Sequence, residues 1–95
     1  MKLVSVNKSD KPAKKFVATF DNNGRTKKTY FGDATMEDYT QHHDAQRREN
    51  YRSRHQKDLT THDPSRAGYL SYYILWGNKS NFKDNLADYR RRFGL

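Results

Sequence analysis

Residues 16–31 read FVATFDNNGRTKKTYF, and this stretch decides the first half of the fold. From Phe16 to Phe20 an apolar residue recurs at every second position, which is the period of a strand with one buried face. Asn23-Gly24 then supplies two residues that tolerate positive φ, which predicts a tight hairpin turn. The threonines, Tyr30 and the last phenylalanine favour a returning strand, which we expect to end at Gly32.

A short apolar run, Leu3-Val4-Ser5-Val6, precedes this hairpin. A polar connection over residues 7–12 separates the two. Because such a run is typical of a further strand, we expect an antiparallel sheet of two or three strands within residues 1–32.

The chain from residue 38 to residue 95 has the pattern of about three helices. Residues 44–58 contain neither glycine nor proline, but their apolar stripe is weak and consists of Tyr51, His55 and Leu59. Because a helix with so narrow an apolar stripe buries little of its surface, we expect this first helix to lie mostly in solvent or against a partner.

The second predicted helix begins with Asp63 as its N-cap and Pro64 in its first turn. Residues 67–76 are apolar nearly all round, so we expect this helix to be the central element of the core. Gly77 is expected to take the left-handed conformation that ends it. Gly68 inside the helix predicts a close approach by another element, for which the apolar stripe of the first helix is the candidate.

The third predicted helix begins at Ser80 as its N-cap and ends at Gly94. Its apolar residues fall on one face and are Phe82, Leu86, Tyr89 and Phe93. Together these patterns predict an α+β fold in a single domain over residues 1–95, with a β region at 1–32 and a helical region at 38–95.

The composition restricts what this protein does. The 95 residues carry a net charge of +8 and include no cysteine, which excludes disulfides and thiolate chemistry. No apolar stretch approaches the ~20 residues of a membrane span, and the first apolar run is too short for a signal peptide. We therefore expect a protein that is not secreted, located in the cytoplasm, the nucleus or an assembly built there.

Catalytic motifs are absent from the sequence. It contains no G-x-S-x-G, no P-loop and no H-x-x-x-H pair, and adjacent His42 and His43 point in different directions on a helix. The acids are scattered among the bases, which favours solvated ion pairs over a metal site. We expect no enzymatic activity, no metal, no cofactor and no small-molecule substrate.

Groups of cations carry the functional prediction. Lys14-Lys15 and Lys27-Lys28 are expected to face each other across the hairpin, where like charges cost stability unless a counter-ion binds them. The predicted binding residues are Lys14, Lys15, Lys27, Lys28, Arg47, Arg48, Arg52, Arg54, Lys57, Arg90, Arg91 and Arg92. Lysine and arginine bind both phosphate and carboxylate, so the sequence leaves nucleic acid and acidic protein surfaces open as partners.

The apolar segment before Gly77 also contains rings that could stack on bases. They are Tyr69, Tyr72, Tyr73 and Trp76. Because they lie in the most apolar part of the chain, a place in the core or in a protein interface is favoured over base stacking.

A set of spaced motifs resembles a family of small basic proteins of unknown function that large nucleocytoplasmic DNA viruses encode. The motifs are Lys28-Thr29-Tyr30-Phe31-Gly32, Asp38-Tyr39-Thr40, His42, Asp44, Tyr51-Arg52, Arg54-His55, Asp63-Pro64, Ala67-Gly68, Leu70-Ser71, Ile74-Leu75-Trp76 and Arg91-Arg92-Phe93. The resemblance covers roughly residues 28–95 and gives no catalytic residues. Members often carry another tryptophan before the second helix, where this chain has Leu59-Thr60-Thr61-His62, so we expect the packing of that corner to differ from theirs.

The resemblance implies a viral context, either the virion or the viral factory in the host cytoplasm or nucleus. One function is then a structural or minor capsid component that binds acidic viral proteins or encapsidated nucleic acid. The alternative is a sequence-nonspecific DNA- or RNA-binding protein that acts in replication, transcription or packaging. The oligomeric state does not follow from the sequence.

Overall fold

The structure, a computed structural model, describes residues 1–95. A three-stranded antiparallel sheet is followed by four α-helices, which confirms the predicted α+β class. The elements are β1 (Lys2–Lys8), β2 (Lys14–Asn22), β3 (Arg25–Asp33), α1 (Tyr39–His42), α2 (Ala45–His55), α3 (Ala67–Leu70) and α4 (Phe82–Phe93). A 3-10 segment, Gln56–Thr61, follows α2, and a π-helical segment, Ser71–Leu75, continues α3.

The strands lie in the order β1-β2-β3, and the predicted hairpin turn is confirmed. Asn23 and Gly24 have φ values of 54° and 84°, the left-handed pair that matches the twist of a two-residue hairpin. Gly32 does not end β3 as expected, since the strand continues through it to Asp33. Its φ of 83° explains the glycine, because side chains rarely tolerate that backbone conformation.

The hairpin register separates the two lysine pairs that we expected to form a stripe. Lys14 pairs with Asp33, whereas Lys27 pairs with Phe20 and Lys28 with Thr19. At ~3.3 Å per residue the two lysine pairs are therefore roughly 17 Å apart along the sheet. The predicted stripe is wrong because the two-residue turn fixes which residues face each other.

The first long helix is shorter than the predicted 44–58. Asp44 is its N-cap and accepts hydrogen bonds from the backbone N–H groups of Gln46 and Arg47, and α2 ends at His55. The chain then tightens into the 3-10 segment. No residue of α2 is fully buried, in agreement with its weak apolar stripe.

The second helix begins later than predicted. The Asp63 carboxylate accepts from both the backbone N–H and the hydroxyl of Ser65, so it caps a turn and not a helix. Arg66 is extended, with a ψ of 153°, and α3 starts only at Ala67. The position of this helix in the centre of the core is confirmed, because Leu70 is fully buried and the π-helical segment continues it.

Gly68 and Gly77 lie where a side chain would contact neighbouring atoms too closely. Gly77 is not left-handed, contrary to expectation; a Cβ there would lie 2.2 Å from the backbone oxygen of Tyr73. At Gly68 a Cβ would lie 2.8 Å from the Cβ of Asp58. The predicted close approach at Gly68 is thus present, but Asp58 makes it. The expected partner stripe is wrong, since Tyr51 stacks instead on Trp76.

The last helix begins one residue later than expected, with Asn81 and not Ser80 as its N-cap. Gly94 ends it in the left-handed conformation, as predicted. The apolar face of α4 packs on the core through fully buried Tyr89 and three partly buried neighbours. Asn85 is also buried, and its amide donates to the carbonyls of Ile74 and Lys79 at 2.9 and 2.7 Å, which fixes the connection between the π-helical segment and α4.

Candidate functional site

Three of the predicted binding arginines bind backbone carbonyls within the chain. Arg52 donates to the carbonyl of Trp76 at 2.8 Å, and Arg48 donates to that of Gly77 at 3.3 Å. Arg90 donates to the carbonyl of Leu3 at 3.1 Å. Each of these half-buried guanidinium groups donates to the backbone of its own chain and joins segments that are distant in sequence.

Two of the predicted binding arginines, Arg52 and Arg92, also lie over aromatic rings. The guanidinium of Arg52 lies 4.3 Å from the ring centre of Tyr72, and that of Arg92 lies 4.9 Å from Tyr73. Such cation–π contacts stabilise by about 0.5–2 kcal/mol each, depending on burial. They place half-buried Arg52 in the packing between α2 and the π-helical segment, whereas exposed Arg92 covers Tyr73 at the surface.

Two more of the predicted residues form ion pairs. The ammonium of Lys15 lies 2.7 Å from the Asp38 carboxylate and also donates to Gln41. Arg91 pairs with Asp88 on α4. The remaining predicted cations are exposed and form no ion pair: Lys14, Lys27, Lys28, Arg47, Arg54 and Lys57. Among them, Lys27 makes a hydrogen bond to Ser65. They do not form one continuous patch on a single element.

A groove of about 680 Å³ brings two of these lysines together with a cation that sequence reasoning missed. We call it the basic groove, and its lining residues are Lys27, Thr29, Lys57, Asp58, Thr61, Ser65, Arg66, Ala67 and Gly68. The three cations come from β3, the 3-10 segment and the turn before α3. They face one carboxylate and three hydroxyl groups.

Buried Ser65 accepts and donates the hydrogen bonds that organise the basic groove. Its hydroxyl accepts from the Lys27 ammonium at 2.8 Å, and its carbonyl accepts from the Thr29 hydroxyl at 2.8 Å. The same hydroxyl donates to Asp63 and holds the pKa of that carboxyl below its ordinary value. Arg66 lies 3.5 Å from this carboxylate in an exposed pair, so its guanidinium still faces solvent.

No sequence pattern points to Arg66, because it is a single arginine outside any run of charge. Only the Asp63 turn, which delays the start of α3, places it beside Lys27. The Asp63-Pro64 motif predicts a helix cap at this point, whereas the structure has a turn that brings Arg66 to the groove.

A second depression of about 270 Å³ lies beside the basic groove, and we call it the cleft. Fully buried Phe31 and Leu75 contribute to its lining, and buried Ser71 lies among them. Its charged side chains are Asp33, Glu37, Asp38, Asp58, Lys14, Lys15 and Arg54. The carboxylates thus outnumber the lysines and arginines, the reverse of the basic groove.

An aromatic stack closes one wall of the cleft. Tyr51 lies 4.1 Å from the His55 ring on one side and 4.2 Å from the Trp76 ring on the other. Burial, and to a lesser degree the nearby Asp58 carboxylate, raise the pKa of Tyr51 to about 12. Because both faces of Tyr51 are covered, it offers no surface for base stacking.

The rings before Gly77 belong to the core, as favoured from the sequence. Tyr69, Tyr72 and Trp76 are buried, and Tyr73 is half-buried against Phe93. No group of three or more histidine and acidic side chains is arranged to hold a metal ion. None of the helices has the length and apolar character that crossing a membrane requires.

A family model described as "Family of unknown function (DUF5754)" matches residues 4–55, more than half of the 95 residues. The chain belongs to this family. No curated protein and no solved structure matches it.

The region matched to DUF5754 ends at the last residue of α2 and includes β2, β3 and α1 entirely. Of the basic groove it contains Lys27 and Thr29, whereas Lys57, Ser65 and Arg66 lie beyond it. The basic groove of this DUF5754 chain is therefore built across the end of the matched region.

Proposed function

We propose that this protein is a non-enzymatic binding protein that holds the phosphate backbone of nucleic acid in the basic groove. The observation that carries the proposal is the convergence of Lys27, Lys57 and Arg66 from three segments on one open groove. Of the three hydroxyl groups that line the groove, those of Thr29 and Ser65 donate within the chain, so the Thr61 hydroxyl is the one left to donate to a phosphate oxygen.

The distribution of arginine favours phosphate over carboxylate as the partner. Bidentate recognition of a carboxylate requires a guanidinium with its donors free. Arg48, Arg52 and Arg90 donate to backbone carbonyls, whereas two of the three groove cations are lysines. Lysine acts as a point charge that neutralises phosphate without demanding a fixed geometry.

The resemblance to small proteins of large DNA viruses supports a place for this binding in the virus. We propose a structural or minor capsid component whose basic groove meets encapsidated nucleic acid. The alternative is a nonspecific DNA- or RNA-binding protein of the infected cell. Its presence in purified particles would favour the first, and its absence from them together with recovery on intracellular nucleic acid would favour the second.

The proposed binding is tested by titrating labelled DNA with the protein at several salt concentrations. Neutralising three phosphates predicts a plot of log affinity against log salt with a slope of about −2 to −3. Affinity that does not depend on salt, or no binding even at about 50 mM salt, would count against the proposal.

A charge-matched pair of variants locates the site. Lys27→Gln, Lys57→Gln and Arg66→Gln together remove the three groove cations, and we expect affinity to fall by at least about tenfold. The control combines Lys2→Gln, Lys83→Gln and Arg47→Gln, which are exposed and line no groove described above. It removes the same charge and includes one cation that the sequence predicted, so an equal loss in both variants would refute the groove as the site.

A further inference from the structure

We infer that a second binding site lies beside α4 and that it takes a carboxylate of an acidic protein segment. The site is a depression of about 440 Å³, which we call the α4 hollow. Tyr73 and Asn78 line it from the segment before α4, and Asp88, Arg91 and Arg92 line it from α4 itself. None of these residues lines the basic groove, so this inference goes beyond the proposed function and does not depend on it.

Arg92 is the cation of the α4 hollow that is free to bind a partner. Its side chain is exposed and forms no ion pair or hydrogen bond within the chain. The Tyr73 ring, which its guanidinium covers, is itself held against the rings of Phe93 and buried Tyr89 at 5.3 and 6.0 Å. The ring contact restricts the position of the guanidinium and leaves its N–H donors without an acceptor. Arg92 therefore presents a donor fork that is partly fixed before a partner arrives.

Asp88 also lines the α4 hollow, and its negative charge is offset by two neighbouring cations. The Lys79 ammonium lies 3.1 Å from one oxygen of this carboxylate, and Arg91 binds the other oxygen. The hydrogen bond from Lys79 holds the pKa of Asp88 below its ordinary value, so the carboxylate stays ionised and paired. Three cations against one carboxylate leave an excess of positive charge here, and Arg92 is the unpaired member.

The criterion that favours phosphate in the basic groove favours carboxylate in the α4 hollow. A guanidinium and a carboxylate match as two planar forks joined by parallel hydrogen bonds, and Arg92 has its donors free for this geometry. A nucleic-acid backbone repeats its charge and is bound by cations in succession, whereas the hollow offers a single free guanidinium. The exposed Asn78 amide lies in the same hollow and can bond to the peptide backbone beside the bound carboxylate.

The α4 hollow and the basic groove lie near opposite ends of the central helical stretch. Ala67 and Gly68, at its start, line the groove, whereas Tyr73, near its end, and Asn78, beyond it, line the hollow. From residue 67 to residue 75 this stretch is roughly 12 Å long, at ~1.5 Å per residue. Because the two sites share no residue, one protein molecule can hold nucleic acid and an acidic protein at the same time.

The test titrates the full-length protein with a labelled oligo-aspartate peptide at about 50 mM salt, where exposed charges are weakly screened. Arg92→Lys keeps the charge and removes the fork, and we expect the affinity for the peptide to fall about fivefold. The matched control is Arg47→Lys, because Arg47 is an exposed, unpaired arginine of α2 that lines none of the three depressions. We expect this control to bind the peptide within about twofold of the unaltered protein.

Equal losses of peptide affinity in Arg92→Lys and Arg47→Lys, or no binding of the peptide at about 50 mM salt, would overturn the inference. Arg92→Lys should leave the affinity for DNA within about twofold. A loss of DNA affinity as large as the loss of peptide affinity would make the α4 hollow part of a nucleic-acid surface and overturn the assignment to carboxylate. Loss of peptide binding on removal of the three groove cations, beyond the loss in their charge-matched control, would place the acidic ligand in the groove and also overturn it. If the peptide binds through Arg92 and DNA does not bind at all, the proposed function fails and this inference holds.

Discussion

Helix α2 carries four arginines that divide into two kinds. Arg48 and Arg52 are half-buried and donate to the carbonyls that follow the π-helical segment, whereas Arg47 and Arg54 are exposed and form no ion pair. Arg48 and Arg52 are four residues apart and Arg47 and Arg54 are seven apart, so each pair lies on one stripe of the helix, and the two stripes are about 130° apart. The side of the helix, and not the residue type, decides which arginines stabilise the fold.

Arg48 and Arg52, which we call the inner arginines, show that a cation can be bound by groups of its own chain; Arg47 and Arg54 form the outer stripe. Trp76 and Gly77 carry carbonyls at the end of a helical segment, where the partial charge is negative. Arg52 adds a ring contact on Tyr72 to its hydrogen bond. The basic groove differs in that Lys57 has no such partner. Net charge of +8 therefore overstates the surface that is available for binding.

The largest effect on stability is expected from a substitution that displaces the backbone carbonyls bound by the inner arginines. Gly77→Ala places a Cβ 2.2 Å from the Tyr73 backbone oxygen. We expect the free energy of unfolding to fall by about 3 kcal/mol, because backbone and not a flexible side chain must shift. Urea denaturation measures this loss. Gly24→Ala is the control with open space around it, where only the left-handed backbone should cost about 1 kcal/mol.

Removing one inner arginine should have the next largest effect. Arg52→Met keeps the packing of the stem but leaves the Trp76 carbonyl without its donor. We expect a loss of about 2 kcal/mol in the free energy of unfolding. Arg54→Met, on the outer stripe, should change it by less than about 0.5 kcal/mol. Similar losses in the two variants would abolish the distinction between the stripes.

A pH titration tests the environment of Tyr51, which lies on α2 and lines the cleft. The pKa of Tyr51 is raised from 10.0 to about 12, mainly by burial. The unfolded chain then loses this proton before the folded one, so stability is intact below about pH 10 and falls as pH rises towards 12. Tyr51→Phe should reduce this alkaline loss by about 1 kcal/mol.

Denaturation curves of both proteins at about pH 9 and about pH 11.5 provide the measurement. Tyr89 also has a raised pKa through burial, but it is present in both proteins and cancels. Parallel loss of stability in the two proteins would contradict the role assigned to Tyr51.

The smallest effect on stability is expected in the basic groove. Lys57→Gln should leave the free energy of unfolding within about 0.5 kcal/mol, because no contact of its ammonium is lost. It should still make the salt dependence of DNA binding shallower by about one unit of slope. A marked loss of stability would mean that Lys57 belongs with the inner arginines and not with the binding surface.

Local patterns predicted much of the fold. The Asn23-Gly24 turn and the apolar face of α4 both follow from interactions between residues close in sequence. Helix ends were less predictable. Asp63 has two suitable donors in Ser65, and the choice between a turn and a helix depends on how the segment packs under Thr29 and Lys27.

The sequence by itself determined the α+β class, the hairpin, the apolar central helix and the excess of positive charge. Only the tertiary structure decided which cations are free, because a guanidinium can be satisfied by a carbonyl many residues away, as Arg90 is by Leu3. It also brought Arg66 beside Lys27 and Lys57. Contacts between residues distant in sequence depend on chain direction and register, which no local pattern specifies.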